Sequence, residues 1–362
     1  MSDEPINLYE LESIAQQTLA QSEWDYIAGG ATDELTIART RSVFDHIALR
    51  PRMLAGIPGA DLATSVLGHR IPAPFMLSPC GGHRRAHPDA ELATTRGAGA
   101  FGTIHAISAN CSIAPEEIAR AADAPLWYQT YFYRDREQTV DRVHMAEENG
   151  YSAICVTLDA VWPPKRERNI RNAYQRQPRA DETKIAPQGP EVQQAKFDAG
   201  MSSRRAVDPG ATWDDVAWLR SVTNLPIVFK GIITREDAAL CAEHGVDALI
   251  VSNHGGRNLD TTIPTIEALP EVAEAAGPDV QVYLDGGIRR GTDVVKALAL
   301  GAKAVMLGRP LFWGLAYNGA DGVAHMLDIL RDEVETTMVM CGKGSVDDIG
   351  RDLIARLPEL PS

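Results

Sequence analysis

Several absences narrow the chain before any motif is read. Its five cysteines, Cys80, Cys111, Cys155, Cys241 and Cys341, are odd in number and widely spaced, and no C-x-x-C occurs. That pattern builds neither a disulfide framework nor a zinc site, so no metal is expected. The plainer reading of each cysteine is a small buried hydrophobe in a protein of a reducing compartment. No apolar run is long enough for a transmembrane helix, and Met1-Ser2-Asp3-Glu4-Pro5 has no basic stretch ahead of an apolar one, so neither a membrane span nor a secretory signal is expected. Leu360-Pro361-Ser362 is not a peroxisomal address, and a cytoplasmic location is expected. Positive charge is scarce too: 35 Lys and Arg face 49 Asp and Glu, for a net charge of −14. Such a surface repels phosphate backbones, which argues against nucleic-acid partners. An anionic ligand would have to meet a local cluster of arginine or lysine.

What is present is alternation. Short apolar runs end in polar or glycine residues, and helical stretches follow. Eight runs read as strands: Phe75–Leu77, Thr103–Ile107, Trp127–Thr130, Ala153–Thr157, Ile227–Lys230, Ala248–Ser252, Val282–Asp285 and Ala304–Leu307. Most are continuously apolar, as parallel strands covered on both faces should be. Helices are expected at Pro115–Ala122, with Glu116 and Glu117 in its first turn, at Thr234–Glu243 behind the cap Thr234, and at Thr292–Leu300. Eight βα units in this order predict an α/β (β/α)8 TIM barrel, and 362 residues suit one such domain spanning 1–362. An open doubly wound sheet is the alternative; no G-x-G-x-x-G follows an early strand, which weakens it. Two pieces stand outside the repeat. Residues 7–50 read as an N-terminal helical extension whose Asp25-Tyr26-Ile27-Ala28-Gly29-Gly30 reaches the barrel mouth, and residues 160–215 read as a long, polar, largely irregular insertion after the fourth strand.

In such a barrel the chemistry gathers at the C-terminal ends of the strands. That rule selects Thr157 and Asp159, Lys230, Ser252 through Arg257, Asp285 through Arg289, and Gly308-Arg309. Glycines let backbone N–H groups approach a phosphate and arginines neutralise it, so Asp285-Gly286-Gly287-Ile288-Arg289 and Gly308-Arg309-Pro310 together predict a phosphorylated ligand after strands seven and eight. His254 can act as a base near neutral pH, and Arg257 can grip a carboxylate with its planar fork. Asp159 is the candidate to orient His254 and stabilise its protonated form. A solvent-facing Lys230 and a structural histidine are the blander readings of the same residues.

With these residues in place, the chain resembles the FMN-dependent α-hydroxy acid oxidase and dehydrogenase family, which includes glycolate oxidase, lactate oxidase and mandelate dehydrogenase. The resemblance runs from about Tyr9 to about Asp352 and is most specific at Lys230-Gly231, Ser252 to Asp260, Leu284 to Asp293 and Gly308-Arg309-Pro310. It implies an FMN cofactor and the oxidation of an (S)-2-hydroxy acid to a 2-keto acid. The hydrogen leaves as hydride or after proton loss, and oxygen, giving hydrogen peroxide, or another acceptor regenerates the flavin. It implies His254 as the base supported by Asp159. Arg257 and an arginine of the fourth loop, Arg166 or else Arg168, would hold the carboxylate, with Tyr26 and Tyr131 on the carboxylate or hydroxyl. Pro79, Cys80 and Gly81 would lie along the flavin ring, Ser108, Gln129 and Thr157 at its polar edge, and Lys230 toward N1, where a cation stabilises the reduced ring. Ser252 joins this set, and Asp285, Gly287, Arg289, Gly308 and Arg309 would hold the ribityl phosphate. A homotetramer is implied as well.

Three places depart from the family. Gly81 stands where many members have alanine, and Asn110 where glycolate oxidase-like members have tryptophan. Both point to a roomier, more polar pocket and a mandelate-like acid larger than glycolate. In the strand-four loop, Ala160 to Asn169, the family usually has a glycine and paired arginines; this version is stiffened by two prolines and carries Arg166 and Arg168. His83, in the strand-one loop, is a candidate to line the pocket, and a surface histidine is the blander expectation. A flavin-dependent monooxygenase or isomerase on the same fold, and a noncatalytic FMN-binding barrel, are the competing readings.

Overall fold

The structure, a computed structural model, describes residues 4–172 and 206–356. It opens with three helices, α1 (Leu8–Thr18), α2 (Gln21–Ala28) and α3 (Leu35–Asp45). The Asn7 side chain caps α1, accepting from Glu10 N at 3.0 Å. α3 is capped from far along the chain. Asp260 accepts from Thr36 N at 2.8 Å and Leu35 N at 3.2 Å. Burial alone would raise the Asp260 pKa; these amides outweigh it and hold the carboxyl well below the usual range.

Short strand β1 (Ile47–Leu49) pairs with the last strand of the described chain, and β2 (Thr64–Val66) with β3 (His69–Ile71) forms a hairpin. Then the barrel begins: β4 (Phe75–Cys80), β5 (His105–Ser108), β6 (Leu126–Thr130), β7 (Ala153–Thr157), β8 (Ile227–Ile232), β9 (Ala248–Val251), β10 (Gln281–Asp285) and β11 (Ala304–Leu307). All eight are parallel, each pairs with the next, and β11 returns to β4 to close the barrel. The expected (β/α)8 architecture is the one observed. The strand ends moved slightly: β4 runs on to Cys80, β5 starts at His105, and β8 continues through Gly231 to Ile232.

The apolar runs are explained by burial on both faces. Met76, Ala106, Trp127, Cys155, Val228, Ile250, Tyr283 and Met306 fill the barrel, while their sequence neighbours such as Phe75, Leu77, Ile107, Ile154, Phe229 and Leu249 pack under the helices. The β2–β3 hairpin closes the N-terminal end, with Val66 and Ile71 in the interior cluster and Leu67 N donating to Gln281 Oε1 at 3.2 Å. At the C-terminal end the filling turns polar. Ser78, Ser108, Gln129, Thr157, Lys230 and Asp285 are all buried there.

The surrounding helices are α4 (Ala90–Phe101), α5 (Pro115–Arg120), α6 (Arg136–Glu148), α7 (Glu167–Arg171), α8 (Asp214–Val222), α9 (Arg235–Glu243), α10 (Thr265–Ala276), α11 (Gly291–Ala299) and α12 (Arg309–Met340). Thr234 caps α9 as expected, accepting from Asp237 N at 3.3 Å. Of the insertion, residues 173–205 lie outside the described residues, so the irregularity expected there concerns a stretch with no description. Its return leg is tied to the chain beyond β6: Arg134 N donates to Ala206 O at 2.7 Å and Asp208 N to Phe132 O at 2.8 Å. Arg136 fixes the same leg through Asp208 at 3.1 Å and Asp215 at 2.6 Å. Among the described residues no helix is long and apolar enough to cross a membrane.

Candidate active site

After β9 the chain makes a turn of left-handed residues: His254 at φ 56°, Gly255 at 64° and Gly256 at 70°. For histidine this conformation costs on the order of 1 kcal/mol or more and persists only where surroundings enforce it. Here Ser252 Oγ accepts from His254 N at 3.1 Å, Gly256 N donates to Asn253 O at 3.0 Å, and Ala31 N donates to Gly256 O at 2.8 Å. The turn aims the imidazole at Asp159. Nδ1–H donates to Asp159 Oδ1 at 2.8 Å, which leaves Nε2 as the nitrogen able to accept a proton. Burial pushes the His254 pKa below its ordinary 6.5, with Lys230 and Arg166 acting in the same sense and Asp159 opposing. The direction of that shift favours the neutral ring near pH 7. Asp159 is itself placed by a glycine: Gly231 has φ 112°, and a Cβ there would come within 2.8 Å of Asp159 Cβ. Asn258 Nδ2 donates to the Asp159 carbonyl at 2.8 Å.

The N-terminal helices meet this mouth through the carbonyl end of α2. Arg257 Nη1 donates to Tyr26 O at 2.7 Å, Ile27 O at 3.2 Å and Gly29 O at 2.8 Å. Arg309 shares the same helix end, through Nε to Ile27 O at 3.2 Å and Nη2 to Gly29 O at 3.1 Å, and reaches Gly255 O at 2.9 Å. A helix C-terminus is electronegative and welcomes both cations. Of the two arginines in the fourth loop, Arg166 lies by the turn, with Nε donating to Arg257 O at 3.0 Å and Nη2 to Asn258 Oδ1 at 3.3 Å. Arg168 points elsewhere, paired with Glu34 and, at 3.7 Å, with Asp25. Tyr26 Oη donates to Gly81 O over a long 3.4 Å, and Asn110 Nδ2 donates to Tyr131 Oη at 3.3 Å.

Beneath the mouth lies a buried ion pair. Lys230 Nζ sits 2.7 Å from Asp285 Oδ2 and donates to Ser252 Oγ at 2.7 Å. Asp285 also accepts from Ser252 Oγ at 3.1 Å and Ser78 Oγ at 2.9 Å. Burial alone would neutralise the lysine, but Asp285 and Asp159 hold its pKa above the ordinary value; Lys230 in turn keeps buried Asp285 below its own. The structure thus puts Asp285 with the lysine rather than with the arginines of the expected phosphate site, which is chemically sensible because a carboxylate repels phosphate. Ser108 Oγ donates to Gln129 Oε1 at 3.2 Å and Gln129 Nε2 to Thr130 O at 2.7 Å. Pro79 and Cys80 end β4, and burial pushes the Cys80 thiol up to about 12, so it stays neutral.

The remaining arginines are short of negative charge. Arg289 lies with its guanidinium 4.5 Å from the Trp313 ring centre and 4.0 Å from Glu12. Gly287 O beside it accepts from Arg41 Nη1 at 2.8 Å, and Gly308 leads into Arg309 next to Cys80 and Ser78. Burial, then Arg257 and Arg289, pushes Arg309 down to about 9. Arginine does not give up its proton in a protein. The depression instead marks uncompensated positive charge, which an anion relieves. That cradle, the lysine at the barrel end and the polar layer around it fit a flavin with a phosphate tail.

One expectation is overturned. His83 is fully buried, not a surface residue: Nδ1 is 2.9 Å from Thr94 Oγ1, and its ring stacks on His105 at 5.6 Å and meets Phe312 edge-on at 5.1 Å. α4 covers the turn that carries it. Sequence reasoning also missed Ser78, Asn258 and Glu12. Ser78 had a signal, since it shares the inward phase of Met76 on β4; Asn258 lies within the Ser252 to Asp260 stretch but had no role assigned there, and Glu12 acts across the fold and had no signal. Among the described residues no group of three His, Cys, Asp or Glu side chains could hold a metal ion.

Comparison with known proteins agrees with this chemistry. The model of the family described as FMN-dependent dehydrogenase matches residues 15–356. A peroxisomal (S)-2-hydroxyacid oxidase of Arabidopsis thaliana is 42% identical over 359 residues, covering 97% of this chain and 96% of that protein. An L-lactate oxidase of Nostoc sp. is 41% identical over 354 residues, covering 95% and 96%. The crystal structure of a mandelate oxidase superposes with a TM-score of 0.87 at 35% identity, covering 97% of this chain and 98% of that one. The chain belongs to the FMN-dependent dehydrogenase family, an oxidoreductase with FMN as its cofactor.

Proposed function

We propose that this enzyme oxidises an (S)-2-hydroxy acid to the corresponding 2-keto acid. One observation carries the reading: His254 Nδ1 is held by Asp159, which leaves Nε2 to take a proton, and Arg166 is bound to the same turn through the Arg257 carbonyl. Bound FMN supplies a two-electron acceptor, itself reoxidised by oxygen, with hydrogen peroxide formed, or by another acceptor. Arg257 and Arg166 hold the substrate carboxylate. Arg257 Nη1 is committed to α2, so the rest of its fork is what the substrate meets. Tyr26 and Tyr131 donate to the carboxylate or hydroxyl. His254 Nε2 takes the proton, and Asp159 stabilises the imidazolium so formed.

Pro79, Cys80, Gly81, Ser108, Gln129, Thr157 and Lys230 would hold the flavin ring, with Ser252 and Asp285 fixing Lys230. Gly287, Arg289, Gly308 and Arg309 would hold the phosphate. The names of the relatives support a 2-hydroxy acid as the substrate class. The likeness to a mandelate oxidase and the polar Asn110 support a substrate larger than glycolate. All of this sits on one barrel domain with the 160–215 insertion. Free cysteines throughout the described chain support a reducing, cytoplasmic setting, and the family resemblance supports a homotetramer.

Anaerobic mixing of the oxidised holoenzyme with glycolate, L-lactate and (S)-mandelate tests the proposal. Bleaching of the flavin band with formation of the 2-keto acid is expected. A protein that none of a broad 2-hydroxy acid panel bleaches would remove the reading, and a clear preference for glycolate would remove its larger-substrate part.

A further inference from the structure

Tyr26 is held between two guanidiniums. Arg257 Cζ lies 5.1 Å from the ring centre and Arg85 Cζ 4.5 Å. Arg85 closes the single 3-10 turn, His83–Arg85, that follows β4. Its side chain is only 3% exposed and is ion-paired with Glu23, three residues before Tyr26 on α2. The fit is close: a Cβ on the neighbouring Gly82 would come to 3.2 Å from Tyr26 Cε1 and 3.5 Å from Arg85 Cδ. The Tyr26 hydroxyl meanwhile rests on Gly81 O through a bond long enough to be exchanged readily for a better acceptor.

A guanidinium is buried only where its charge is met. Glu23 meets that of Arg85, so Arg85 does not compete with Arg257 and Arg166 for an anionic substrate. Its planar face is left to the phenol ring. A cation against the ring draws on its electron density, favours the phenolate-like form and so strengthens the hydroxyl as a donor. The ion pair also joins α2 to the β4 turn, which fixes where the ring stands.

We infer that Arg85 is a positioning residue for the reaction: stacked on Tyr26 and neutralised by Glu23, it sets the place and donor strength of the Tyr26 hydroxyl toward the substrate carboxylate. This rests on the proposed role of Tyr26 in substrate binding. The test is a double-mutant cycle on holoenzyme with Tyr26→Phe, Arg85→Met and the pair combined. It reads kcat, KM and the Kd of the 2-keto acid product from its perturbation of the flavin spectrum. Arg85→Met should raise KM and Kd by roughly 3- to 30-fold, leave FMN content and kcat little changed, and add nothing to Tyr26→Phe. Arg85→Lys, which keeps the charge without the flat face, should recover part of the loss.

The failures are separable. A silent Tyr26→Phe overturns the role of Tyr26. A damaging Tyr26→Phe beside a silent Arg85→Met overturns the inference alone. An Arg85→Met effect of equal size with and without the Tyr26 hydroxyl also overturns it, because Arg85 would then act by another route. Should Arg85→Met fail to fold, Arg85→Lys measured in both backgrounds answers the same question.

Discussion

A Cβ built on Gly81 would lie 2.9 Å from Asn110 Cβ and 3.1 Å from the Asn110 carbonyl oxygen. The two residues that looked like separate departures in the pocket are therefore one contact. The glycine does not open space for substrate; the backbone after β5 fills the space a side chain would need. Asn110 N is itself held by Ser108 Oγ at 3.1 Å, so it yields little. Gly81→Ala should destabilise the holoenzyme by about 1–3 kcal/mol, the usual cost of overpacking. Asn110→Gly, which removes one of the two clashing groups, should recover part of that loss. Thermal melts of the four proteins check it; an equal penalty in both backgrounds would place the strain elsewhere.

The second prediction concerns His254, the proposed base. His254→Ala should slow substrate-driven flavin reduction by several orders of magnitude. Asp159→Asn should slow it by roughly 100-fold or more, since the neutral amide cannot stabilise the imidazolium and its NH2 can donate to Nδ1, which favours the tautomer with the proton on Nε2. The pH dependence follows from the direction of the shift. Burial lowers the His254 pKa below 6.5, and only the neutral ring can accept the proton. The rate of flavin reduction should thus be level near neutrality and fall on the acid side, with its inflection below 6.5. Near-normal reduction in His254→Ala would refute the assignment.

Those residues show what the sequence makes legible. Ala153–Thr157 and Ala304–Leu307 are read to the residue because a strand buried on both faces must be apolar throughout, a pattern a helix on the surface does not share. Where a strand leaves the apolar core the signal fails. Ser78 and Pro79 resemble loop residues, yet Ser78 belongs to the polar layer and bonds Asp285. The bulge at Gly231 is set by the approach of Asp159, a contact between different strand ends. His83 follows two glycines and so reads as exposed loop; its burial depends on α4 and on Phe312 of α12, which no local pattern reveals. His254 and Arg257 were legible because barrel geometry names the strand ends in advance. Their partners, above all the carbonyl end of α2, were not.

The proposed phosphate cradle gives a third prediction. Arg309 carries positive charge that burial, and then Arg257 and Arg289, make unfavourable, and an anion would relieve it. Arg309→Met should weaken FMN binding to the apoprotein by roughly 10- to 100-fold, the value of one charge-assisted phosphate contact. Riboflavin, which has the same ring and no phosphate, should bind the variant and the parent about equally. Fluorescence quenching titrations with both flavins make the comparison. Equal losses for both would mean that Arg309 serves the ring or the fold and not the phosphate.

His83 and His105 give the last. The rings are stacked and buried, and burial is the largest cause lowering both pKa values, for His105 well below 6.5. In the unfolded chain each histidine binds a proton at its ordinary pKa, whereas the folded protein resists it. Stability is then whole above 6.5 and is lost as pH falls from there toward the lowered folded values. Each group contributes at most about 1.4 kcal/mol per pH unit in that window. Carboxylates held in ion pairs, such as Asp285 beside Lys230, act only at lower pH, so the two effects separate. Melting temperatures should decline between pH 7 and 5. His105→Gln, which offers Thr95 a neutral partner for the 3.0 Å bond to Nδ1, should make that decline shallower. An unchanged slope in this variant would show that the acid sensitivity arises outside the pair.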